Sequence, residues 1–246
     1  MEIERIEPTE KVKPFLKGLR LPSQFNGKMN RNEFIQYCFQ ENAQKDTQII
    51  GCETCKRFQD VYNTIAGARL SVALAQIKEF PEFIQPNEWG YNWMRSRYVT
   101  DAILLYEASF DLILQIPWIF FQVYKIKNKD LDIRKDMAVI LENCRLQKFE
   151  KAISKSNLPL ELYTLLKKFY ENENIVISNW ANIIKHRQCI SFKELRLQNV
   201  FVVVDKDYNS LSYLEEHTLD EMVAALQNHH SKIVELCEKI QKFFPF

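Results

Sequence analysis

Hydrophobic positions recur along most of this chain at a spacing of three and four residues, the period of a helix with one apolar face. From Glu53 to Phe80 the inward set is Phe58, Val61, Tyr62, Ile65, Leu70, Val72 and Ile77, and Pro81 and Pro86 close that helix. Trp93 to Tyr124 is apolar around almost its whole circumference, which predicts a helix central to a bundle, bent at Pro117. Its exceptions are Glu107, Asp111 and Gln115, one polar stripe at i, i+4 and i+8. Carboxylates buried there need donors, because an unpaired one costs several kcal/mol. Further helices are expected over Ile133–Ile153, with Met137, Ile140, Leu141 and Phe149 inward, and from Leu160 to about Asn172. A capping box, Thr218-Leu-Asp-Glu221, opens the last one.

The rest is less regular. Pro8, Pro14, Pro22, Gly18 and Gly27 make residues 1–30 an irregular segment draped over the remainder, and Asn32–Gln44 suits a short helix. Val200–Val204 is β-branched and aromatic and precedes turn residues, so a small hairpin is expected near 200–213. The fold class is therefore all-α: an up-down bundle of five or six long helices with that hairpin as an insertion. Residues 1–50 are expected to form an irregular N-terminal region packed on a bundle domain spanning 51–246.

Composition narrows the chemistry. The 246 residues carry 33 Lys plus Arg against 32 Asp plus Glu, a net charge of +1 that argues against a strongly basic nucleic-acid coat and gives no reason to expect DNA. The five glycines are isolated and none follows Gly90. Loops that cradle phosphates need clustered glycines, so no Walker A, dinucleotide or Gly-x-Ser-x-Gly motif can be written here. The most apolar run, Leu112–Val123, is interrupted by Gln115, Pro117 and Gln122, and reads as core rather than a membrane span. The six cysteines are scattered, without a disulfide framework, and the first residues do not form a signal peptide, so the expected location is the cytoplasm. Cys52-Glu-Thr-Cys55 has a metal or redox spacing but lacks a second ligand pair and a βαβ setting. His229-His230 project about 100° apart on a helix, a poor chelate, and with His217 are expected on a solvated surface. No metal and no cofactor are expected.

One decamer carries polar side chains that suit one another: Ser178-Asn-Trp-Ala-Asn-Ile-Ile-Lys-His-Arg187. Ile177, Trp180, Ala181, Ile183 and Ile184 fall on one side of a helix, and Ser178, Asn179, Asn182, Lys185 and His186 on the other. Asn182 and His186 are four apart and so stack one above the other. An imidazole with an ordinary pKa of about 6.5 suits proton transfer near neutrality. Lys185 and Arg187 can hold a phosphate, and Asn182 can orient the imidazole or a ligand hydroxyl. Cations at a helix C-terminus are also favoured by the macrodipole alone.

Asn182-Ile-Ile-Lys-His186 resembles the second part of the Arg-Asn-x-x-x-His signature of HEPN (higher eukaryotes and prokaryotes nucleotide-binding) domains. Asn-x-x-Lys-His-Arg late in an all-helical chain is similar to a bacterial branch of that superfamily, and the Ser109-Phe-Asp111-x-x-x-Gln115 helix resembles its bundle partner. The resemblance covers about residues 95–245. It implies a helical bundle, often homodimeric, with the motif lining a cleft between protomers. In active members it implies a metal-independent ribonuclease in which His and Arg assist attack of a ribose 2′-OH on the adjacent phosphate. Carried over, His186 is the acid/base and Asn182 its polar support, while Lys185, Arg187, Asn179, Asp111 and Glu107 are the candidate binding residues. The signature's arginine is replaced by Ala181, and a methyl cannot neutralise a developing phosphorane. Three readings follow: a protein that binds RNA, a nucleotide or a partner protein without efficient cleavage; a ribonuclease in which Lys185 or Arg187 substitutes; or a structural bundle in which Glu107, Asp111 and Gln115 satisfy Lys185 and His186.

Overall fold

The computed structural model describes residues 10–22, 45–79, 87–126, 129–186, 190–195 and 217–245. It is an all-α helical bundle. Its α-helices are α1 (Lys13–Leu16), α2 (Lys45–Ala75), α3 (Glu88–Phe120), α4 (Met137–Glu142), α5 (Leu146–Glu150), α6 (Leu160–Phe169), α7 (Ile175–His186) and α8 (Leu219–Gln241). Among the described residues the extended pairing is a single parallel bridge between Phe192 and His217. The expected helix at 32–44 and the hairpin at 200–213 lie outside the described residues.

The long helices follow the apolar register, except that Leu70, expected inward in α2, is 42% exposed. In α3, Val99, Ala102, Ile103, Tyr106, Phe110, Ile113, Ile116 and Ile119 are all buried, as a nearly all-apolar circumference requires. This helix is long and apolar enough by length and composition to cross a membrane, and 56% of its apolar window is buried inside the protein. Pro117 lies within it, and it ends where Gln122 turns into the left-handed region at φ 50°. α8 starts as its capping box dictates. The Thr218 backbone N–H donates to Glu221 Oε2 at 2.9 Å, and the Glu221 N–H donates to Thr218 Oγ1 at 3.2 Å.

The helix expected over 133–153 is instead two short ones, α4 and α5, separated at Asn143–Arg145. The Asn143 side chain donates to Val139 O at 3.0 Å, and the Trp118 indole N–H donates to Ile140 O at 2.8 Å. Arg145 is extended, at φ −145° and ψ 141°. Two carbonyls of the last turn are thus engaged by side chains, and the chain changes direction before the next turn begins.

The chain divides into two compact units, each assembled from separated segments: Met1–Arg20, Gly67–Leu105 and Val176–Ser231 in the first, and Leu21–Ala66, Tyr106–Ile175 and Lys232–Phe246 in the second. In the first unit, residues 10–20 include the short helix α1, which has Pro14 in its first turn. Val12 and Leu19 are buried, Leu16 O accepts from Arg69 Nη2 at 2.8 Å, and Arg20 O accepts from His230 Nε2 at 2.6 Å. The guanidinium of Arg95, 6% exposed, donates from Nε to Ala75 O, the last carbonyl of α2, at 2.8 Å. It also pairs with Asp220 in the first turn of α8. One side chain therefore caps one helix end and neutralises an acid at the start of another.

In the second unit the core is aromatic. Phe110 stacks with Phe169 (5.5 Å between centroids) and Tyr170 (5.8 Å), Trp118 packs on Phe149 (5.4 Å), and Phe244 meets Phe58 and Phe120 at 5.4 and 5.0 Å. Such pairs add about 0.5–1.5 kcal/mol beyond their area burial.

Candidate functional site

The candidate helix α7 continues directly from α6 through one π-helical turn, Tyr170–Asn174. A π-turn inserts one residue into the α ladder and so rotates the positions that follow it. Asn174, at the end of that turn, is fully buried, and its Nδ2 donates to Glu107 Oε2 at 3.2 Å. The donor that the acidic stripe requires is thus supplied within the second unit by an asparagine that the sequence pattern did not single out. The stripe itself is wetter than expected. Asp111 is exposed and Glu107 is half-buried, because the polar side of α3 faces solvent there.

Along α7 the division of faces is close to the one expected from periodicity. Ile177 and Ala181 are buried, at 2% and 0% exposure, and Ile183 and Ile184 are half-buried. Ser178 departs from expectation. At 8% exposure it belongs to the buried side, one residue along from Ile177 and three before Ala181. Asn179, Asn182, Lys185 and His186 are exposed. Asn182 and His186 lie one turn apart on one face, with Lys185 in the same last turn. No side-chain hydrogen bond or ion pair joins Asn182, Lys185 or His186 to another described residue. Arg187 lies outside the described residues.

Next to this face, Trp180 holds its ring edge-on to the His217 imidazole, 5.5 Å between centroids and 70° between planes. His217 is fixed by the short bridge. Its N–H donates to Ser191 O at 3.3 Å and its carbonyl accepts from Lys193 N at 3.1 Å. Glu194 Oε1 then accepts the Leu219 N–H at 2.9 Å, which ties the segment to the start of α8. The exposed face thus stands on a backbone fixed from both sides: by Ile177 and Ala181 in the core, and by Trp180 against an anchored histidine.

The paired histidines are not on a solvated surface. His229 and His230 are 3% and 1% exposed, since both continue the inward register of Leu226, Ile233 and Val234 in α8. The His230 Nε2 bears the proton that it donates to Arg20 O. Burial, then the nearby Arg69 and Arg20 charges, outweigh that bond and hold its pKa below the ordinary value. Cys52 is exposed and Cys55 buried, both within α2, and neither is in a disulfide. No group of three or more His, Cys, Asp or Glu side chains placed to hold a metal occurs among the described residues.

Chemically, the α7 face offers one imidazole, one ammonium and two amides, set on a rigid helix and open to solvent. These groups can donate to phosphate oxygens and to the edges of unpaired bases. Position 181, where the HEPN signature carries arginine, is sealed in the core. Comparison with known protein families, with characterised proteins and with solved structures finds no match to this chain.

Proposed function

We propose that this chain is a HEPN-like helical protein of the cytoplasm that binds RNA or a nucleotide through the exposed face of α7 and does not cleave it efficiently. The observation that carries the reading is the exposure of Asn182, Lys185 and His186 on one helical face with no acidic partner among the described residues. A structural salt-bridge network would bury and pair these groups. Here a buried apolar face holds them outward, where a ligand can reach them. Ala181 argues against efficient cleavage, since a buried methyl stands where a cation would stabilise the pentavalent phosphorus. Four free cysteines among the described residues suit a reducing compartment. The resemblance adds the expectation of a homodimer, which analytical ultracentrifugation of the full chain measures.

The test is fluorescence anisotropy with labelled single-stranded RNA and with labelled adenosine and guanosine nucleotides, comparing wild type with His186→Ala, Asn182→Ala and Lys185→Ala. Binding weakened by each substitution supports the reading. Indistinguishable curves for wild type and all three variants refute it. The same RNA incubated with the protein in EDTA remains intact on this account. Products ending in 2′,3′-cyclic phosphate, lost in His186→Ala, would instead establish the ribonuclease reading with Lys185 or Arg187 as the cation.

A further inference from the structure

The second unit holds a cavity of about 140 Å³ between the end of α3, the 3-10 turn Val123–Ile126 and the α4–α5 pair. Its body is Trp118, Leu131, Ile140 and Ala152, and its wall is overwhelmingly apolar. The floor is rigid. The Trp118 indole is locked to Ile140 O at 2.8 Å and packed on the fully buried Phe149 ring, so the cavity is not a gap that collapse of a loose side chain would close. For scale, an apolar cavity of about 150 Å³ accepts a benzene molecule.

Two cations, Lys148 and Lys151, also line this space, and no acidic side chain does among its described lining residues. Lys148 Nζ donates to Asn143 Oδ1 at 2.6 Å. That bond uses one of the three donors of the ammonium and fixes its position, leaving two for an incoming anion. Apolar volume for about six carbons, lined at its margin by two lysines and by no acidic side chain, is complementary to an amphiphilic monoanion. A neutral hydrocarbon would gain nothing from the lysines. A dianionic nucleotide would place a sugar and polar base edges against a mostly apolar wall.

We propose that this cavity is a binding site for a small organic monocarboxylate with an apolar body of one aromatic ring or about six carbons. The body fills the space over Trp118, Ile140 and Ala152, and the carboxylate meets Lys148 and Lys151. The site is independent of the α7 face, uses none of its residues, and stands or falls separately from the nucleotide reading.

Saturation-transfer NMR and calorimetry on the full chain test this with hexanoate, benzoate and hexan-1-ol. Hexanoate and benzoate should bind with dissociation constants on the order of 0.1–1 mM, the range that ligands of this size reach. Hexan-1-ol, with the same chain and no charge, should bind at least about tenfold more weakly, because it lacks the charge-assisted bonds. In the double variant Lys148→Gln/Lys151→Gln, both positions being at least partly solvent-exposed, hexanoate should fall to the level of hexan-1-ol. Ala152→Leu, which extends a side chain into the space, should abolish binding of all three, with a thermal melt confirming that the variant folds. If it does not fold, the lysine variant alone decides. No binding of hexanoate or benzoate at about 10 mM, equal affinity for hexanoate and hexan-1-ol, or unchanged hexanoate binding in the lysine variant overturns the proposal.

Discussion

Replacing Arg95 by Met should cost far more stability than removing its ion-pair partner. The Arg95 side chain is 8% exposed and that of Asp220 is 70% exposed. A pair with one member so open to water contributes little, about 0–1 kcal/mol, because solvent screens it. The bond from Arg95 Nε to Ala75 O is of another kind. Ala75 is fully buried, its carbonyl belongs to the end of α2, and a charged donor to such a group contributes about 1.5–3 kcal/mol. Arg95→Met keeps most of the apolar stem and loses the guanidinium, so the expected loss is about 2–3 kcal/mol. Asp220→Asn keeps the shape and leaves Arg95 bonded to Ala75, so its expected loss is below about 1 kcal/mol, including a small helix-dipole contribution at the start of α8. Urea denaturation followed by far-ultraviolet circular dichroism measures both, with unchanged denaturant slopes as the check that compactness is the same. Equal losses for the two variants would refute the reasoning, since they would make the ion pair, rather than the buried carbonyl, the source of stability.

Three other outcomes are expected. The pKa of His230 is held down by burial, so as pH falls below about 6.5 the unfolded chain takes up the proton first. The contribution of this residue to stability is therefore full above that pH and lost progressively below it, towards the folded-state pKa; the stability difference between wild type and His230→Gln, measured across this window, should shrink with falling pH, and a constant difference would contradict the assignment. Thr218→Ala removes one half of the capping box and should cost about 0.5–2 kcal/mol, read from thermal melts of the two proteins. Phe149→Ala empties a fully buried position against Trp118 and should cost about 3–5 kcal/mol by urea denaturation, whereas the exposed Val139→Ala should cost little.

The fold was largely legible in the sequence because helical period and the Thr218–Glu221 box are local signals that agree with one another, although α2 ends at Ala75 rather than at the expected Phe80. What was not legible depends on partners distant in the chain. The break between α4 and α5 comes with a bond from Trp118, more than twenty residues earlier, to the Ile140 carbonyl. The π-turn that aims Asn174 at Glu107 has no compositional signature, so the sequence pattern did not single out that asparagine as a donor for the stripe. His229 and His230 illustrate a different limit. Chelate geometry says nothing of burial, and the polarity of imidazole concealed that both sit in register with Leu226 and Ile233. That register was readable, and following it would have placed them inside. The division of α7 into a buried and an exposed face was legible for all but Ser178, whose small hydroxyl fits a packed interface.

The most direct measurement is a nitrogen–proton NMR titration of the isotopically labelled chain with a short single-stranded RNA. The account predicts saturable shifts centred on Asn179, Asn182, Lys185 and His186, with the Asn182 side-chain amide among the most affected. No shifts there at saturating RNA, or shifts centred on another surface, would contradict it.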